Sequence, residues 1–270
     1  MQRVILCGSM SLHPSPLGSA THNAGYRALG LPFVYVPFAV RDLPGAIAGM
    51  RALGMRGAGI SYPYKQRVMA LLDAVDPLAA RIGAVNTVVN DDGKLTGHNT
   101  DWSGAVRALK EVAPLESARV LLLGAGGAGR AIAYGLRESG ATVTIANRDV
   151  AKAEELARAV GADARGLAEA ERAHEYDILV NATPVGMADV DGRSPVPEAA
   201  LRPGMVVMDI VHKPLETALV AAARARGAKA VHGGRMLLHQ AARQFELYTG
   251  QAAPLDAMDA ALRAAMGSVA

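Results

Sequence analysis

The sequence is poor in cysteine and in long apolar runs, and each scarcity rules something out. Cys7 is the single cysteine among 270 residues, so no intrachain disulfide can form and a reducing compartment is expected. One thiol cannot build a zinc site, and the seven histidines lack metal-ligand spacing such as H-E-x-x-H, so no metal is expected. No stretch approaches the roughly 18 uninterrupted apolar residues of a membrane span. The start, Met1-Gln2-Arg3-Val4-Ile5-Leu6, runs into a strand-like segment without a signal-peptide pattern. A cytoplasmic protein with no membrane association is the expectation. A large charge of one sign is missing too. With 28 basic and 25 acidic residues the net charge is +3, too small and too evenly spread for nucleic acid as a partner. A mild positive balance does suit an anionic small molecule.

What is present is core material and glycine. Hydrophobic residues make up 51% and glycines number 29, enough for a sizeable core in two modest domains. Short β-branched runs alternate with longer Ala/Leu-rich amphipathic ones, the pattern of α/β sheets. In the first third, strands are predicted near 4–7, 33–37, 57–61 and 84–90, with helices near 22–29, 43–53 and 66–74. Asp91-Asp92-Gly93 signals a hairpin turn. A second series follows the polar stretch 111–118. Its strands are predicted near 120–123, 142–146, 177–181, 205–210 and 228–232, and its helices near 128–139, 151–160 and 215–226. Helices over 236–245 and 255–266 complete the chain.

The second series opens on a dinucleotide fingerprint. Val120-Leu121-Leu122-Leu123 leads into Gly124-Ala125-Gly126-Gly127-Ala128-Gly129 and then a helix-forming run from Arg130, which is G-x-G-x-x-G between strand and helix. Gly124 permits the tight turn, Gly126 lets backbone approach a pyrophosphate, and Gly129 lets helix pack on strand. The helix N-terminus then offers N–H groups and a favourable dipole to phosphates. Asn147 stands eighteen residues past Gly129 at the next strand end, followed by Arg148. A carboxylate there would bond a ribose 2′-hydroxyl, whereas an arginine accommodates a 2′-phosphate, so NADP is expected rather than NAD. Asp149 either opposes that phosphate or caps the following helix, and capping is the reading adopted. Asn181-Ala182-Thr183-Pro184-Val185-Gly186-Met187 sits at a further strand end, where open α/β sheets bind ligands.

Two other elements carry polar chemistry: Ser61-Tyr62-Pro63-Tyr64-Lys65-Gln66 and Gly97-His98-Asn99-Thr100-Asp101-Trp102. Oxidising an alcohol by hydride transfer needs an acceptor for the hydroxyl proton, which a lysine oriented by a carboxylate can be. Lys65 opens the helix predicted from Gln66 and would sit in the positive end of its field. Taken alone, Lys65 reads as an exposed helix lysine and Asp101 as a turn or N-cap residue. His22 reads as capping or packing in its helix, and Trp102 as core or cleft wall.

Taken together, Gly83-Ala84-Val85-Asn86-Thr87, Asn99-Thr100-Asp101, the glycine loop, Asn147-Arg148, the heptad at 181–187 and the stretch 236–246 resemble the shikimate dehydrogenase family, in its order and spacing over nearly the whole chain. The resemblance implies an α/β protein with an N-terminal substrate domain (1–103 with 236–270, the C-terminal helices returning to it) and a Rossmann NADP-binding domain (104–235). It implies reversible oxidation of shikimate to 3-dehydroshikimate with NADP. Lys65 and Asp101 would be the catalytic pair, with Ser61, Asn86 and Gln240 on the substrate, and the cofactor site would extend to Thr183, Val211 and Gly234. The implied partner is a small cyclic hydroxy acid, and the chain would be a monomer or homodimer.

Several positions depart from the family. The loop Ser11–Thr21 before His22-Asn23 is about two residues longer, leaving Ser15 and Ser19 both open as the substrate-carboxylate ligand. His212 replaces a usual tyrosine and Tyr64 a common histidine. With Arg51-Ala52-Leu53-Gly54 these resemble the shikimate dehydrogenase-like paralogue branch. Quinate or aminoshikimate as substrate, and a non-catalytic NADP-binding sensor, stay open on these grounds.

Overall fold

Two units make up the chain, Met1–Thr100 with Gln240–Ala270, and Asp101–His239. The structure is a computed structural model and describes residues 3–188 and 190–267.

The first unit holds a six-stranded sheet in the order β2-β1-β3-β5-β6-β4. Its strands are β1 (Ile5–Ser11), β2 (Phe33–Ala39), β3 (Gly57–Ile60), β4 (Ala74–Val75), β5 (Thr87–Asp91) and β6 (Lys94–His98). β1 runs parallel to β2 and β3, but β5 runs antiparallel to β3 and to β6. This sheet is mixed. The β5–β6 hairpin closes over Asp92 and Gly93, both at positive φ (50° and 92°), the geometry that an Asp-Gly pair adopts most readily.

Helices cover both faces. α1 (Pro16–Ala28) starts six residues before the predicted position, because Ser15 caps it by accepting from the Leu17 N–H (3.3 Å) and Pro16 supplies a preset φ. Asn23 ties α1 to β2, donating to the Tyr35 carbonyl and accepting from its N–H (2.9 and 2.8 Å). α2 (Leu43–Ala52) is capped by Asp42, whose carboxylate accepts from the Gly45 N–H at 3.1 Å. Ile47 and Met50 of α2 join Val68, Val85, Val88 and Leu95 in one core. On the opposite face, Phe245 and Tyr248 of α8 (Gly233–Thr249) and Met258 of α9 (Leu255–Gly267) are fully buried. Burying a side chain of the size of Phe245 contributes about 1.5–3 kcal/mol. At Gly57 a Cβ would lie 2.2 Å from the Tyr248 ring, so β3 is glycine-rich because α8 lies directly on it. His22 packs rather than caps, stacked on Tyr35 with ring centroids 4.2 Å apart.

The second unit is an all-parallel sheet in the order β12-β11-β10-β7-β8-β9. Its strands are β7 (Arg119–Leu123), β8 (Thr142–Asn147), β9 (Asp163–Gly166), β10 (Ile178–Asn181), β11 (Val206–Asp209) and β12 (Lys229–Val231). Strand order reverses between β7 and β10, the topological switch point of a Rossmann sheet. α5 (Gly127–Glu138), α6 (Val150–Val160) and α7 (Ala218–Ala225) pack on it, and α4 (Asp101–Lys110) packs on α5. Trp102 packs closely on α5, its side chain within 3.2 Å of where a Cβ on Gly135 would stand. Asp149 occupies the N-cap position of α6, but its carboxylate accepts no capping hydrogen bond, so the capping role expected of that side chain is not made. Among the described residues no helix is long and apolar enough to cross a membrane.

Candidate active site

In the first unit one end of the sheet gathers the polar residues. β1 and β3 point the same way with Met10 opposite Ile60, so the Ser15-capped start of α1 and Ser61 both follow carboxyl strand ends. Because β5 is antiparallel, its first residue Thr87 and the preceding Asn86 lie at that same end; β6 finishes there with His98 opposite Thr87. Carboxyl strand ends are where open α/β sheets take ligands. Ser61, Lys65 and Asn86 are thereby brought together. The Ser61 N–H donates to the Met10 carbonyl at 3.0 Å, and the Lys65 carbonyl accepts from the Val85 N–H at 2.8 Å, next to Asn86.

Asn86 is 1% exposed, and its Oδ1 accepts from the Thr100 N–H (2.7 Å), the Thr100 hydroxyl (3.2 Å) and the Thr87 hydroxyl (2.8 Å). Those bonds fix the segment that ends one residue before Asp101, the buried first residue of α4. Lys65 itself differs from its expected setting. The predicted helix over 66–74 is a five-residue 3₁₀ turn, Arg67–Leu71, so no developed helix dipole acts on the lysine. Gln240 lies half-buried on α8. One turn further along, Gln244 Nε2 donates to the Thr87 hydroxyl (2.9 Å) and to the Asn86 carbonyl (3.3 Å). Sequence reasoning passed over Gln244, although its spacing of four from Gln240 would put both on one helix face.

The two loop serines are distinguished by hydrogen bonding. The Ser19 hydroxyl donates to the Pro16 carbonyl at 2.9 Å, whereas Ser15 accepts from the Leu17 N–H and keeps its proton for an outside acceptor.

In the second unit the expected cofactor residues all stand at carboxyl strand ends. Gly124 follows β7 at φ +105°, and a Cβ there would lie 2.8 Å from the Ala182 carbonyl oxygen. At Gly129 a Cβ would sit 2.1 Å from the Gly124 carbonyl oxygen, so α5 crosses β7 too closely for any side chain. Gly126 and Gly127 are the reverse case: both are exposed, and an added Cβ would meet nothing within 4 Å. Gly126 is also the N-cap of α5 and provides no side-chain cap. The first-turn N–H groups of this twelve-residue helix can serve a pyrophosphate as donors. Ala125 and Ala128 are half-buried between these glycines. At the end of β8, Asn147 Nδ2 donates to the Asp149 carbonyl at 2.9 Å and the next residue, Arg148, is exposed, with no carboxylate at the strand-end position itself. This donor set fits a dinucleotide carrying a 2′-phosphate.

Thr183, Pro184, Met187, Val211 and His212 help line a crevice of about 270 Å³ beyond β10 and β11. The Thr183 N–H and hydroxyl donate to Asn181 Oδ1 at 3.1 and 2.6 Å. Gly234, buried in the first turn of α8, backs onto His232 and Leu215. Among the described residues no group of three or more His, Cys, Asp or Glu is placed to hold a metal ion.

Three family profiles match in succession: the shikimate dehydrogenase substrate binding domain over 13–88, shikimate / quinate 5-dehydrogenase over 107–211, and the shikimate 5′-dehydrogenase C-terminal domain over 233–263. A shikimate dehydrogenase (NADP⁺) from Moorella thermoacetica is 44% identical over 269 residues, covering 93% of this chain and 90% of its own length. The chain belongs to the shikimate dehydrogenase family. A Thermus thermophilus shikimate 5-dehydrogenase crystallised with NADP(H) and shikimate superposes with a TM-score of 0.88 at 38% identity, over 97% of this chain and 100% of that one. A ligand-free 5-ketofructose reductase from Gluconobacter superposes with a TM-score of 0.90 at 35% identity, over 98% and 99%. The family fold, an N-terminal substrate domain and a Rossmann NADP-binding domain, is the fold of this chain.

Proposed function

We propose that this chain is an NADP-dependent shikimate dehydrogenase of the cytoplasm, interconverting shikimate and 3-dehydroshikimate. The reading rests on the gathering of Ser15, Ser61, Lys65 and Asn86 at one sheet end, in a chain that matches NADP-dependent shikimate dehydrogenases over nearly its whole length.

Lys65 is the proton acceptor for the reacting hydroxyl and Asp101 its carboxylate partner. When the C–H bond of the carbinol breaks, its electron pair leaves as hydride, the O–H proton passes to Lys65 Nζ, and the C=O bond forms. Bound NADP supplies the hydride acceptor at its nicotinamide ring. Asn86, whose Oδ1 is held by Thr87 and Thr100, directs its amide toward the ring hydroxyls, with Ser61 and Gln240 as further contacts. Ser15 binds the substrate carboxylate, because that anion only accepts hydrogen bonds and Ser15 has a proton to donate where Ser19 has spent its own. Gly124 to Gly129 carry the pyrophosphate, and Asn147 and Arg148 the 2′-phosphate. Thr183, Val211 and Gly234 border the nicotinamide end. A monomer or homodimer suffices for this chemistry, since every residue named belongs to one chain.

Quinate is the second substrate to weigh, because the central profile matched here is described for both acids and the serine loop is longer than usual. Turnover of shikimate, quinate and an amino analogue, each with NADP and with NAD, is the direct test. Shikimate with NADP should give the highest kcat/KM. Lys65→Ala should lower kcat by about 10²–10⁴-fold, the usual worth of a general acid–base group, with NADPH affinity unchanged. Wild-type-like turnover in that variant would end the assignment of Lys65. Tight NADPH binding without turnover of any cyclic hydroxy acid would instead indicate a sensor.

A further inference from the structure

Asp209 is fully buried at the end of β11 and lies outside the proton-transfer pair. An unpaired carboxylate in such a place would be costly, yet this one has three donors. Its Oδ1 accepts from Asn181 Nδ2 (3.0 Å) and from the Val211 N–H (3.1 Å), and its Oδ2 accepts from the Thr217 hydroxyl (2.7 Å). Each donor belongs to a different element: the end of β10, the loop after β11 and the N-cap of α7. Asn181 in turn holds the following loop: it accepts from Thr183 and donates from Nδ2 to the Val185 carbonyl (3.0 Å). Val211 lines the crevice itself. Thr217, which accepts from the Val220 N–H at 3.2 Å, fastens the far end of the 210–217 loop to α7. Burial pushes the Asp209 carboxyl up from the ordinary carboxylate range, and the three hydrogen bonds pull the other way.

We infer that Asp209 is a positioning residue that locks the loops after β10 and β11 into the shape that receives the nicotinamide half of the cofactor. The inference rests on the proposed NADP-dependent function. It separates two halves of one ligand: the adenosine end, held by the glycine loop and Arg148, should be indifferent to Asp209, and the nicotinamide end should depend on it.

The test compares dissociation constants for NADPH, read by nicotinamide fluorescence, and for adenosine 2′,5′-bisphosphate, read by calorimetry. In Asp209→Ala, NADPH should weaken roughly tenfold while the bisphosphate is unchanged, as expected for lost hydrogen bonds to a charged group. Asp209→Asn keeps Oδ1 for Asn181 and Val211 and should recover most of that loss. Thr217→Val, which removes the Oδ2 partner together with the cap on the Val220 N–H, should move the ratio in the same direction by roughly threefold; with Asp209→Asn it carries the test should the alanine variant not fold. Both ligands weakening in step, or neither weakening, in the variants that fold would overturn the inference alone. A wild-type chain that binds no NADPH overturns the proposed function and this inference with it.

Discussion

At the scale of single residues, burial gives His22 a measurable signature. Its ring is enclosed between α1 and β2, with Nδ1 2.9 Å from the Gly18 carbonyl; that carbonyl only accepts, so Nδ1 carries the proton of the neutral ring. Burial lowers the pKa from 6.5 to about 4. The unfolded chain therefore takes up a proton at pH values where the folded one refuses it. The stability that His22 contributes is complete above about pH 6.5, declines as pH falls toward 4, and is gone below it. Between pH 7 and 4.5 the loss is about 2–3 kcal/mol. His22→Phe preserves a ring against Tyr35 and cannot titrate. Urea unfolding at the two pH values should find the variant's loss smaller than the wild type's by about that amount. Equal losses would mean that the ring is charged inside the fold or takes no part in the acid transition.

At the scale of elements, the turn after β7 and the first turn of α5 hold two glycines, Gly126 and Gly129, with opposite reasons for being glycine. Gly129 is excluded from carrying a side chain by the Gly124 carbonyl, so Gly129→Ala forces strand and helix apart and should cost about 1–3 kcal/mol. Gly126 has open space around it and an ordinary φ of −77°, so Gly126→Ala should leave the melting temperature nearly unchanged. Its methyl group would stand where the pyrophosphate approaches, and NADPH affinity should fall roughly tenfold or more. Thermal melts paired with NADPH titrations of the two variants check this; a Gly126→Ala protein that binds normally would remove the pyrophosphate from this turn.

The same turn was fully legible in the sequence, because strand, glycines and helix are consecutive and each has a local signature. Other elements were not. α3 (Pro77–Ile82) is only six residues long, too short for periodicity, and announces itself through ends alone: Asp76 accepting from the Leu78 and Ala79 N–H groups, Pro77, and Gly83 at φ +76°. α4 has an ambiguous start, because Asp101 reads as a turn or cap residue, although Trp102, Ala105, Val106 and Leu109 recur at helical spacing. The antiparallel placement of β5 against β3 leaves no local trace, since alternation reports which face is buried and not the direction of the neighbour. Asn86 could be recognised by resemblance, whereas its grip on Thr100, and the part played by Gln244, depend on pairings more than a dozen residues apart.

For the molecule as a whole, a ligand that binds only the folded chain raises its stability in proportion to the logarithm of its concentration over Kd, about 2.7 kcal/mol at one hundred times Kd. That term makes the melting temperature a probe of which dinucleotide the chain is built for. NADPH and NADH differ by the 2′-phosphate alone, and the groups available for it at the end of β8 are Asn147 and the exposed Arg148. Charge-assisted contacts of this kind contribute about 1.5–3 kcal/mol each. At one shared concentration NADPH should therefore raise the melting temperature by several degrees while NADH moves it little. Arg148→Gln should lower the NADPH shift toward that of NADH and leave the melting temperature of the free protein where it was, because the arginine is solvated there. Equal shifts from the two dinucleotides in the wild type would assign the 2′ position to solvent, and Arg148 would then be no more than a surface charge.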